Sequence, residues 1–288
     1  MENNRGTIFF CLVLWGIVPL FSSAKSADST LVVGSVSSSG PKIVAHRGQV
    51  GGYPENSMSG FEKVIELGVD YIEVDVRTTA DGVLVILHDG DLKRTTRARG
   101  SLKERTFAEL QQVVELKSKR WGPKGERIPT LEQVCELLVR HNQDQLRPVN
   151  LYLDCKDADP ALLLKTLQRY GLAEDAVFYG GDSYLEALRE LSPKAKIIPA
   201  LRELSELDDR IARLEPYGFD VKWKILNARV VESLQSKGLK IYTDLLFIYD
   251  HSRNYKKAQR WGVDVIQTDR AKRALQVLRP SVSYENKD

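Results

Sequence analysis

Short β-rich runs alternate with amphipathic stretches from residue 42 onward, and this alternation constrains the fold more than any other feature. Two of the amphipathic stretches, Ser57–Leu67 and Pro160–Tyr170, stop directly before a glycine, the residue that commonly ends a helix in left-handed backbone. Strands separated by helices form parallel βαβ units, so eight strand-like runs predict a closed (β/α)8 TIM-type barrel. The pattern also fits an open doubly wound sheet. The predicted strands are Lys42–His46, Tyr71–Arg77, Val149–Asp154, Ala176–Tyr179, Lys196–Leu201, Phe219–Lys224, Lys240–Leu245 and Val263–Gln267.

One further strand-like run, Val83–His88, breaks the alternation. Only four residues separate it from the second strand, whereas parallel neighbours need a dozen or more. We therefore predict a β-hairpin after the second strand. A two-residue loop at Ala80-Asp81 would place His88 opposite Glu73, and one at Asp81-Gly82 would place it opposite Asp75. In either register, His88 lies beside the carboxylates of Glu73 and Asp75.

The N-terminus is typical of a secretory signal peptide. Arg5 precedes the apolar run Ile8–Phe21, whose 14 residues are fewer than the roughly 20 that span a bilayer. Small residues follow, and we expect cleavage after Ala24 or Ala27. An uncleaved membrane anchor is the alternative. Cleavage predicts a secreted or periplasmic protein without a stable membrane span.

The rest of the chain predicts a single domain. Residues 28–40 are rich in serine and glycine and predict a flexible lead-in, residues 41–280 form the predicted barrel, and residues 281–288 form a polar tail. The 42 basic and 39 acidic residues leave a formal net charge of only +3, which argues against a nucleic-acid-binding protein. The sequence leaves the oligomeric state open.

Polar side chains gather where four of the predicted strands end. In α/β barrels, catalytic groups lie at the carboxyl ends of the strands. Three carboxylates suit one divalent cation, Mg²⁺ or Ca²⁺, because both ions prefer oxygen ligands. Two histidines can exchange protons near neutral pH, and an arginine and a lysine can contact a phosphoryl group. The residues concerned are His46, Arg47, Glu73, Asp75, His88, Asp154 and Lys156.

The same residues stand in motifs that resemble those of the glycerophosphodiester phosphodiesterase family. The likeness spans roughly residues 42–270. It rests on linked blocks in order: Ile43-Val44-Ala45-His46-Arg47-Gly48, Pro54-Glu55-Asn56-Ser57, Gly68-Val69-Asp70-Tyr71-Ile72-Glu73-Val74-Asp75, His88-Asp89 and Gly262-Val263-Asp264-Val265-Ile266-Gln267-Thr268-Asp269.

The resemblance implies a barrel, a divalent metal and a small-molecule phosphodiester substrate. It implies that His46 and His88 form the acid–base pair. It places the metal on Glu73 and Asp75, with the third acidic ligand at Asp154, where the family usually has glutamate.

Other matched positions have supporting roles in this interpretation. Arg47 would contact phosphate, and Lys156 matches a site lysine. Glu55 would assist the metal or orient His46. Asn56 would cap the following helix, and Tyr242 would form an aromatic wall for the alcohol in place of the family's tryptophan.

Two other functions remain as alternatives. A phospholipase D-type activity on lysophospholipids or sphingolipids would need an apolar patch at the barrel mouth. The loops Gln49–Tyr53 and Lys117–Arg127 are polar apart from Trp121, which favours water-soluble diesters. The second alternative is a non-catalytic barrel that binds phosphate or sugar. The presence of both histidines and all three acids argues against it.

Overall fold

A computed structural model describes residues 40–117, 123–143 and 145–280. The predicted signal peptide (1–27), most of the predicted lead-in (28–39), the predicted polar tail (281–288) and Trp121 lie outside the described residues. The strands are β1 Lys42–Ala45, β2 Tyr71–Thr78, β3 Leu84–Ile86, β4 Asn150–Cys155, β5 Val177–Tyr179, β6 Lys196–Ile197, β7 Ala200–Leu201, β8 Gly218–Val221, β9 Lys240–Asp244 and β10 Val265–Thr268. The helices are α1 Met58–Glu66, α2 Phe107–Val113, α3 Leu131–Asn142, α4 Pro160–Arg169, α5 Asp182–Leu191, α6 Leu207–Leu214, α7 Ala228–Ser236, α8 Ser252–Trp261 and α9 Ala271–Leu278.

Parallel pairing closes the sheet into a ring. The strand order is β6-β5-β4-β2-β1-β10-β9-β8-β7, with β3 antiparallel to β2. β6 and β7 are two halves of one predicted strand, and Pro199 lies between them without an N–H to donate to the ladder. Ile198 N donates to Phe178 O (2.9 Å) on one side, and Asp220 N donates to Pro199 O (3.0 Å) on the other. The segment 196–201 therefore joins both ends of the sheet, and the prediction of a barrel is confirmed.

The barrel strands are apolar on both faces, as parallel strands covered by helices must be. Outward-facing residues such as Ile43 and Val74 pack under the helices in the main core. Inward-facing residues fill the barrel with a smaller cluster that includes Val44, Tyr71 and Tyr152. Fully burying one such side chain stabilises the fold by roughly 1.5–3 kcal/mol. The filled interior confines any site to the ends of the barrel.

The helices begin and end largely where sequence signals place them. Thr130 and Gln133 stand in the Thr-x-x-Gln pattern that is typical of a helix start, and their capping box begins α3. Gly68 and Gly171 follow α1 and α4 with φ values of 80° and 69°, in the left-handed region that glycine favours. Within the described residues, no helix is long and apolar enough to cross a bilayer.

The hairpin forms after β2, but both predicted registers are wrong. Val76 pairs with Ile86 and Thr78 with Leu84, so residue 88 falls opposite Val74 rather than a carboxylate. The loop has three residues, 80–82, instead of two. Thr79 N donates to Val83 O (3.0 Å), and Gly82 adopts a φ of 82° that a three-residue loop requires.

A separate small core holds this hairpin in place. The excursion between β2 and α3 buries its own apolar cluster, which packs Leu87 against Leu92 and Leu102. Because β3 ends at Ile86, His88 lies in the bend beyond the strand. The His88 carbonyl accepts bonds from Arg77 Nε (2.9 Å) and Nη2 (2.7 Å), which fix this bend beside β2.

Candidate active site

Three carboxylates meet at the mouth of the barrel. Glu73 and Asp75 lie on the inner face of β2 because successive strand residues alternate between faces. β4 pairs with β2 so that Asp154 stands directly beside Asp75. One carboxylate oxygen from each of the three residues lies within 4.8 Å of the others. Glu73 and Asp75 are buried, and Asp154 is half-buried.

The carboxylates disfavour one another's charge. Burial, followed by the charges of Asp75 and Asp154, raises the pKa of Glu73 well above its usual range. Burial also raises the pKa of Asp154, although Lys156 opposes the shift. Asp75 Oδ1 is buried and makes no hydrogen bond among the described residues, although Lys156 Nζ lies 3.2 Å from it. An all-oxygen donor set with three acids against two cations fits a divalent cation such as Mg²⁺ or Ca²⁺.

Arg47 reaches this cluster through a strained turn. The 3₁₀ turn His46–Gly48 gives Arg47 a φ of 52° and Gly48 a φ of 60°. A Cβ on Gly48 would lie 2.5 Å from the Phe61 ring, so only glycine fits there. Arg47 N donates to Glu73 Oε2 (2.6 Å), and its Nε lies 3.2 Å from Asp75 Oδ2. The turn therefore places the guanidinium against the carboxylate cluster.

Lys156 provides the second cation of the cluster. Its Nζ donates to Asp154 Oδ2 (2.5 Å) and lies 3.2 Å from Asp75 Oδ1. Burial disfavours the charged amine, but Asp154 and Asp75 together raise the pKa of Lys156. The lysine is therefore held as a cation beside two of the three acids.

Each candidate histidine is held by a carboxylate at the same ring nitrogen. His46 Nδ1 lies 2.7 Å from Asp269 Oδ1, and His88 Nδ1 lies 2.6 Å from Asp89 Oδ1. A carboxylate at Nδ1 favours the tautomer that leaves Nε2 for proton exchange, and it fixes the orientation of the ring. His46 is buried and His88 is partly exposed. His88 follows β3, which pairs with β2, and it interacts electrostatically with Asp154, so the hairpin brings it to the mouth.

Arg94 links the two carboxylates that hold Arg47 and His88. Its Nη1 donates to Glu55 Oε2 (2.8 Å) and its Nε to Asp89 Oδ2 (2.6 Å). Glu55 in turn accepts a bond from Arg47 Nη1 (2.9 Å). The hydrogen bond from Arg94, together with that from His88, lowers the pKa of Asp89 to about 2 despite partial burial. Asp89 is therefore a permanent anion behind His88.

A second acidic pair lies across the barrel. Burial and then the nearby charge of Asp244 raise the pKa of Asp220 well above its usual range. Lys222 Nζ donates to Asp244 Oδ2 (3.2 Å). The negative charge that the sequence places at Asp244 is therefore balanced by a neighbouring lysine.

A cavity of about 540 Å³ opens beside the acidic cluster. Its lining includes Asp154 and Lys156 together with Tyr179, Arg202 and Arg210. The lining offers both charges and hydrogen-bond donors, which suits a polar ligand next to the triad.

Comparison with known proteins identifies the family. The model of the Glycerophosphoryl diester phosphodiesterase family matches residues 46–273, most of the chain. The chain belongs to this family. The sequence-based prediction of a phosphoric diester hydrolase is thereby confirmed.

Relatives of this phosphodiesterase family match over most of their length. A glycerophosphodiester phosphodiesterase of Caldanaerobacter subterraneus subsp. tengcongensis is 29% identical over 245 residues, covering 82% of this chain and 97% of the relative. A putative glycerophosphodiester phosphodiesterase of Bacillus subtilis is 30% identical over 240 residues, covering 79% and 93%.

Solved structures of the family share the fold. An Oleispira antarctica phosphodiesterase in complex with the product sn-glycerol-3-phosphate has a TM-score of 0.71 at 24% identity, covering 83% of this chain and 97% of that one. The glycerophosphodiester phosphodiesterase of Agrobacterium tumefaciens has a TM-score of 0.68 at 24% identity, covering 81% and 97%. At these identities the likeness establishes the architecture alone.

Two supporting positions of this phosphodiesterase make contacts other than those predicted. Glu55 accepts hydrogen bonds from Arg47 and Arg94, whereas the carboxylate at His46 Nδ1 is that of Asp269. The assistance of Glu55 to a metal stays a prediction. Asn56 is not the cap of α1, because Ser57 accepts the bond from Gly60 N. Asn56 Nδ2 donates to Asp75 Oδ2 (2.7 Å), so it orients a carboxylate of the acidic cluster. Its φ of 53° is a left-handed conformation that asparagine tolerates better than most residues.

Tyr242 does not form a wall for the substrate alcohol. It is buried inside the barrel, with its ring 6.1 Å from that of Tyr152. Burial, with smaller contributions that include Tyr71, raises its pKa. Tyr242 belongs to the packed interior below the mouth.

Sequence reasoning missed Asp269, Asp89 and Arg94 as site residues of the phosphodiesterase. Asp269 directly follows β10, so the rule that site residues follow strands would have found it. Asp89 stood beside a candidate histidine and was not given a role. No local sequence pattern indicates that Arg94 contacts Glu55, because 39 residues of chain separate the two.

Proposed function

We propose that the chain is a divalent-metal-dependent glycerophosphodiester phosphodiesterase in which His46 and His88 exchange protons with the substrate. One observation carries the proposal. Two histidines, each held at Nδ1 by a carboxylate, share a barrel mouth with three clustered carboxylates whose negative charge is offset only in part by Arg47 and Lys156.

The proposal assigns the cation, Mg²⁺ or Ca²⁺, to Glu73, Asp75 and Asp154. When bound, the ion would polarise a phosphoryl oxygen and stabilise the charge that develops on it. Arg47 and Lys156 lie against the same carboxylates, so both are beside any phosphoryl group bound there. Their positive charges would contact its oxygens.

The histidines move the protons in this proposal. One imidazole accepts the proton of the attacking hydroxyl at Nε2, and the other donates a proton to the departing alcohol. The anions Asp269 and Asp89 stabilise the protonated ring in each case. We assign the attacking group to the glycerol 2-hydroxyl, through a cyclic phosphate that water then opens.

The proposed substrates are water-soluble glycerophosphodiesters. The polar cavity beside Asp154 and Lys156 supports this choice. The bound product in the Oleispira antarctica relative supports glycerol phosphate as the product. We propose further that residues 1–27 direct export, so that the enzyme acts outside the cytoplasm. N-terminal sequencing of the exported protein tests that part.

The test uses the full chain with His46→Asn and His88→Asn. His141→Asn is the matched control, because His141 lies in the last turn of α3, away from the mouth. Each site variant should lose about 10²–10⁴-fold in kcat on glycerophosphocholine, while the control keeps wild-type turnover. Near-wild-type turnover in either site variant would contradict the acid–base assignment.

Product analysis tests the substrate class. Metal-stripped enzyme is reloaded with Mg²⁺ or Ca²⁺ and given deacylated and monoacyl choline or ethanolamine phosphodiesters. We expect glycerol phosphate from the deacylated substrates only with metal present. Faster cleavage of the monoacyl substrates would indicate the phospholipase D-type alternative, and binding without turnover would indicate a non-catalytic barrel.

A further inference from the structure

Two adjacent apolar side chains protrude from the rim of the barrel mouth. Phe247 and Ile248 lie in the 3₁₀ turn Phe247–Tyr249, which connects β9 to α8. Each is 79% exposed. Loops that follow barrel strands lie at the carboxyl ends of the strands, the end that also carries His46. We call these two residues the rim tip.

The rim tip is held in a strained conformation. Phe247 has a φ of 51°, a left-handed conformation that is unfavourable for a bulky aromatic residue. Such strain persists only where the surrounding structure enforces it, and it is frequent at functional sites. Here Phe247 O accepts a bond from Asp250 N (3.2 Å), and Leu246 O accepts one from Tyr249 N (3.0 Å). The backbone thus turns two apolar side chains outward.

A buried carboxylate anchors the rim tip next to the catalytic histidine. Asp250 is buried, and its Oδ1 accepts bonds from the hydroxyl groups of Tyr255 and Thr268. Its Oδ2 accepts a bond from Asp269 N (2.9 Å), and the Asp269 side chain holds His46. The tip is therefore a rigid extension of the wall behind His46.

Cationic side chains surround the rim tip. Phe247 shares the lining of a cavity of about 800 Å³ with Lys63, Arg270 and Arg273. Arg253 lies in the first turn of the neighbouring helix α8. In the part of the chain that the structure describes, Arg253 and Arg270 are exposed and form no ion pair. Asp250 and Asp269, which line the same cavity, already accept hydrogen bonds from other groups.

These arginines lie near the N-termini of α8 and α9, which adds to the positive charge of the rim. Neither α8 nor α9 has an acidic residue in its first turn. Helix N-termini carry a partial positive charge that acidic residues normally offset. Arginines there leave the local positive charge uncompensated. A surface of protruding apolar groups ringed by cations matches the interfacial layer of an anionic membrane.

We propose that this rim docks on an anionic lipid bilayer, with Phe247 and Ile248 entering the headgroup layer and Arg253, Arg270 and Arg273 contacting lipid phosphates. A protruding tip enters a headgroup layer more readily than it receives a peptide, which usually binds in a groove. The inference does not depend on the proposed catalytic chemistry. It predicts that the mouth works next to a membrane surface.

The test measures hydrogen exchange of the full-length protein, peptide by peptide, with and without vesicles. Phosphatidylcholine vesicles are compared with vesicles that contain about one-third phosphatidylglycerol. We expect slower exchange in peptides covering residues 245–251 and 270–273 with the anionic vesicles. The apolar run near the N-terminus is present in every variant, and its contact with lipid would be reported by different peptides.

Variants separate the rim from other surfaces. Phe247→Ser with Ile248→Ser should weaken binding to anionic vesicles by about tenfold or more, because interfacial affinity scales with buried apolar area. Arg270→Gln with Arg273→Gln should weaken it on anionic vesicles only. Leu146→Ser is the matched control. Leu146 is fully exposed between α3 and β4, at the opposite end of the barrel, and its replacement should change nothing.

Four results would overturn the proposal. The first is a wild type without protection at the rim, and the second is a double serine variant that keeps the wild-type protection. The third is equal protection by inorganic phosphate alone, which would indicate a simple anion site. The fourth is protection that rises with protein concentration in the absence of vesicles, which would indicate binding of a second copy of the chain. Ile248→Ser alone replaces the double variant if a thermal melt shows that the latter is unfolded.

Discussion

The acidic cluster makes a quantitative prediction for Glu73→Gln. Glutamine keeps the size of Glu73 and retains an acceptor for Arg47 N, so the change removes mainly the charge. Two unit charges 4.8 Å apart repel by about 3 kcal/mol at an effective dielectric constant of 20. Because Arg47 and Lys156 offset part of this repulsion, we expect metal-free Glu73→Gln to exceed the wild type in stability by about 1–3 kcal/mol at pH 7.

The pH dependence follows from the direction of the pKa shift. Burial and Asp75 raise the pKa of Glu73 above its unfolded value of 4.5. A raised carboxyl pKa gives stability that is full below the unfolded pKa and is lost as pH rises through the folded pKa. Metal-free wild type should therefore lose stability as pH rises from 4.5 toward neutrality, and Glu73→Gln should lose less.

Bound metal should make the wild type more stable than Glu73→Gln, the reverse of the order expected without metal. A cation at one hundred times its Kd stabilises the folded state by about 2.7 kcal/mol. For a domain of this size that raises Tm by roughly 5–10 °C. Glu73→Gln lacks one of the three ligand charges, so its Tm should rise much less at the same Mg²⁺ or Ca²⁺ concentration.

The assay is thermal and urea unfolding of EDTA-treated protein at pH 5–8, followed by metal titration. Glu66→Gln is the matched control, because Glu66 lies on the surface of α1 and pairs only with Lys63 among the described residues. A wild-type metal response in Glu73→Gln, or a wild type indifferent to both ions, would refute the assignment of the metal site.

Three further changes test the supports of the site and the barrel. Asp269→Asn should lower kcat by about 10–150-fold with little change in KM, since a charge-assisted bond to His46 contributes about 1.5–3 kcal/mol; an unchanged kcat would show that this bond is dispensable. Asp89→Asn should lower stability by about 1 kcal/mol at pH 7 after allowance for its partial exposure. Because the pKa of Asp89 is lowered to about 2, this difference should persist above pH 3.8 and disappear as pH falls toward 2, which urea titrations at several pH values would show. Gly218→Ala should cost roughly 3 kcal/mol in urea unfolding, because its Cβ would lie 2.2 Å from Lys240 O on the neighbouring strand; a wild-type urea midpoint would contradict this packing.

The barrel could be predicted because its signal is periodic and repeated along the chain. Most strands are short apolar runs, and several helices begin or end at a recognisable residue, such as Thr130 or Gly171. The break in the strand at Pro199 is also visible in the sequence. Its consequence is not, because β6 and β7 join opposite ends of the sheet only when the ring closes.

The carboxylates of the site could be predicted for a related reason. Glu73 and Asp75 lie on one face by strand geometry alone, and parallel pairing in register brings Asp154 beside them. The residues that orient the histidines depend on tertiary structure. Arg94 reaches Glu55 and Asp89 only because the excursion after β2 folds back over the loop that follows β1.

The register of the hairpin shows where local reasoning fails. Both predicted registers assumed a two-residue loop, and the left-handed φ of Gly82 permits three. The conformation of a single glycine thus decided which residue pairs with which. His88 still reaches the mouth, but through the bend after β3 rather than through pairing with Glu73 or Asp75.

That three-residue loop also limits how the gene can change. The side chains of a strand alternate between faces, so one residue gained or lost between Thr79 and Val83 would exchange the side chains that β3 sends into the main core, Leu84 and Ile86, with the one that it sends into the small core, Val85. The same slip would redirect the bend that carries His88. Substitutions within the loop are tolerable as long as Gly82 keeps its left-handed backbone, whereas insertions and deletions are not. Among natural variants of this protein, the length of the loop should therefore be more uniform than its composition.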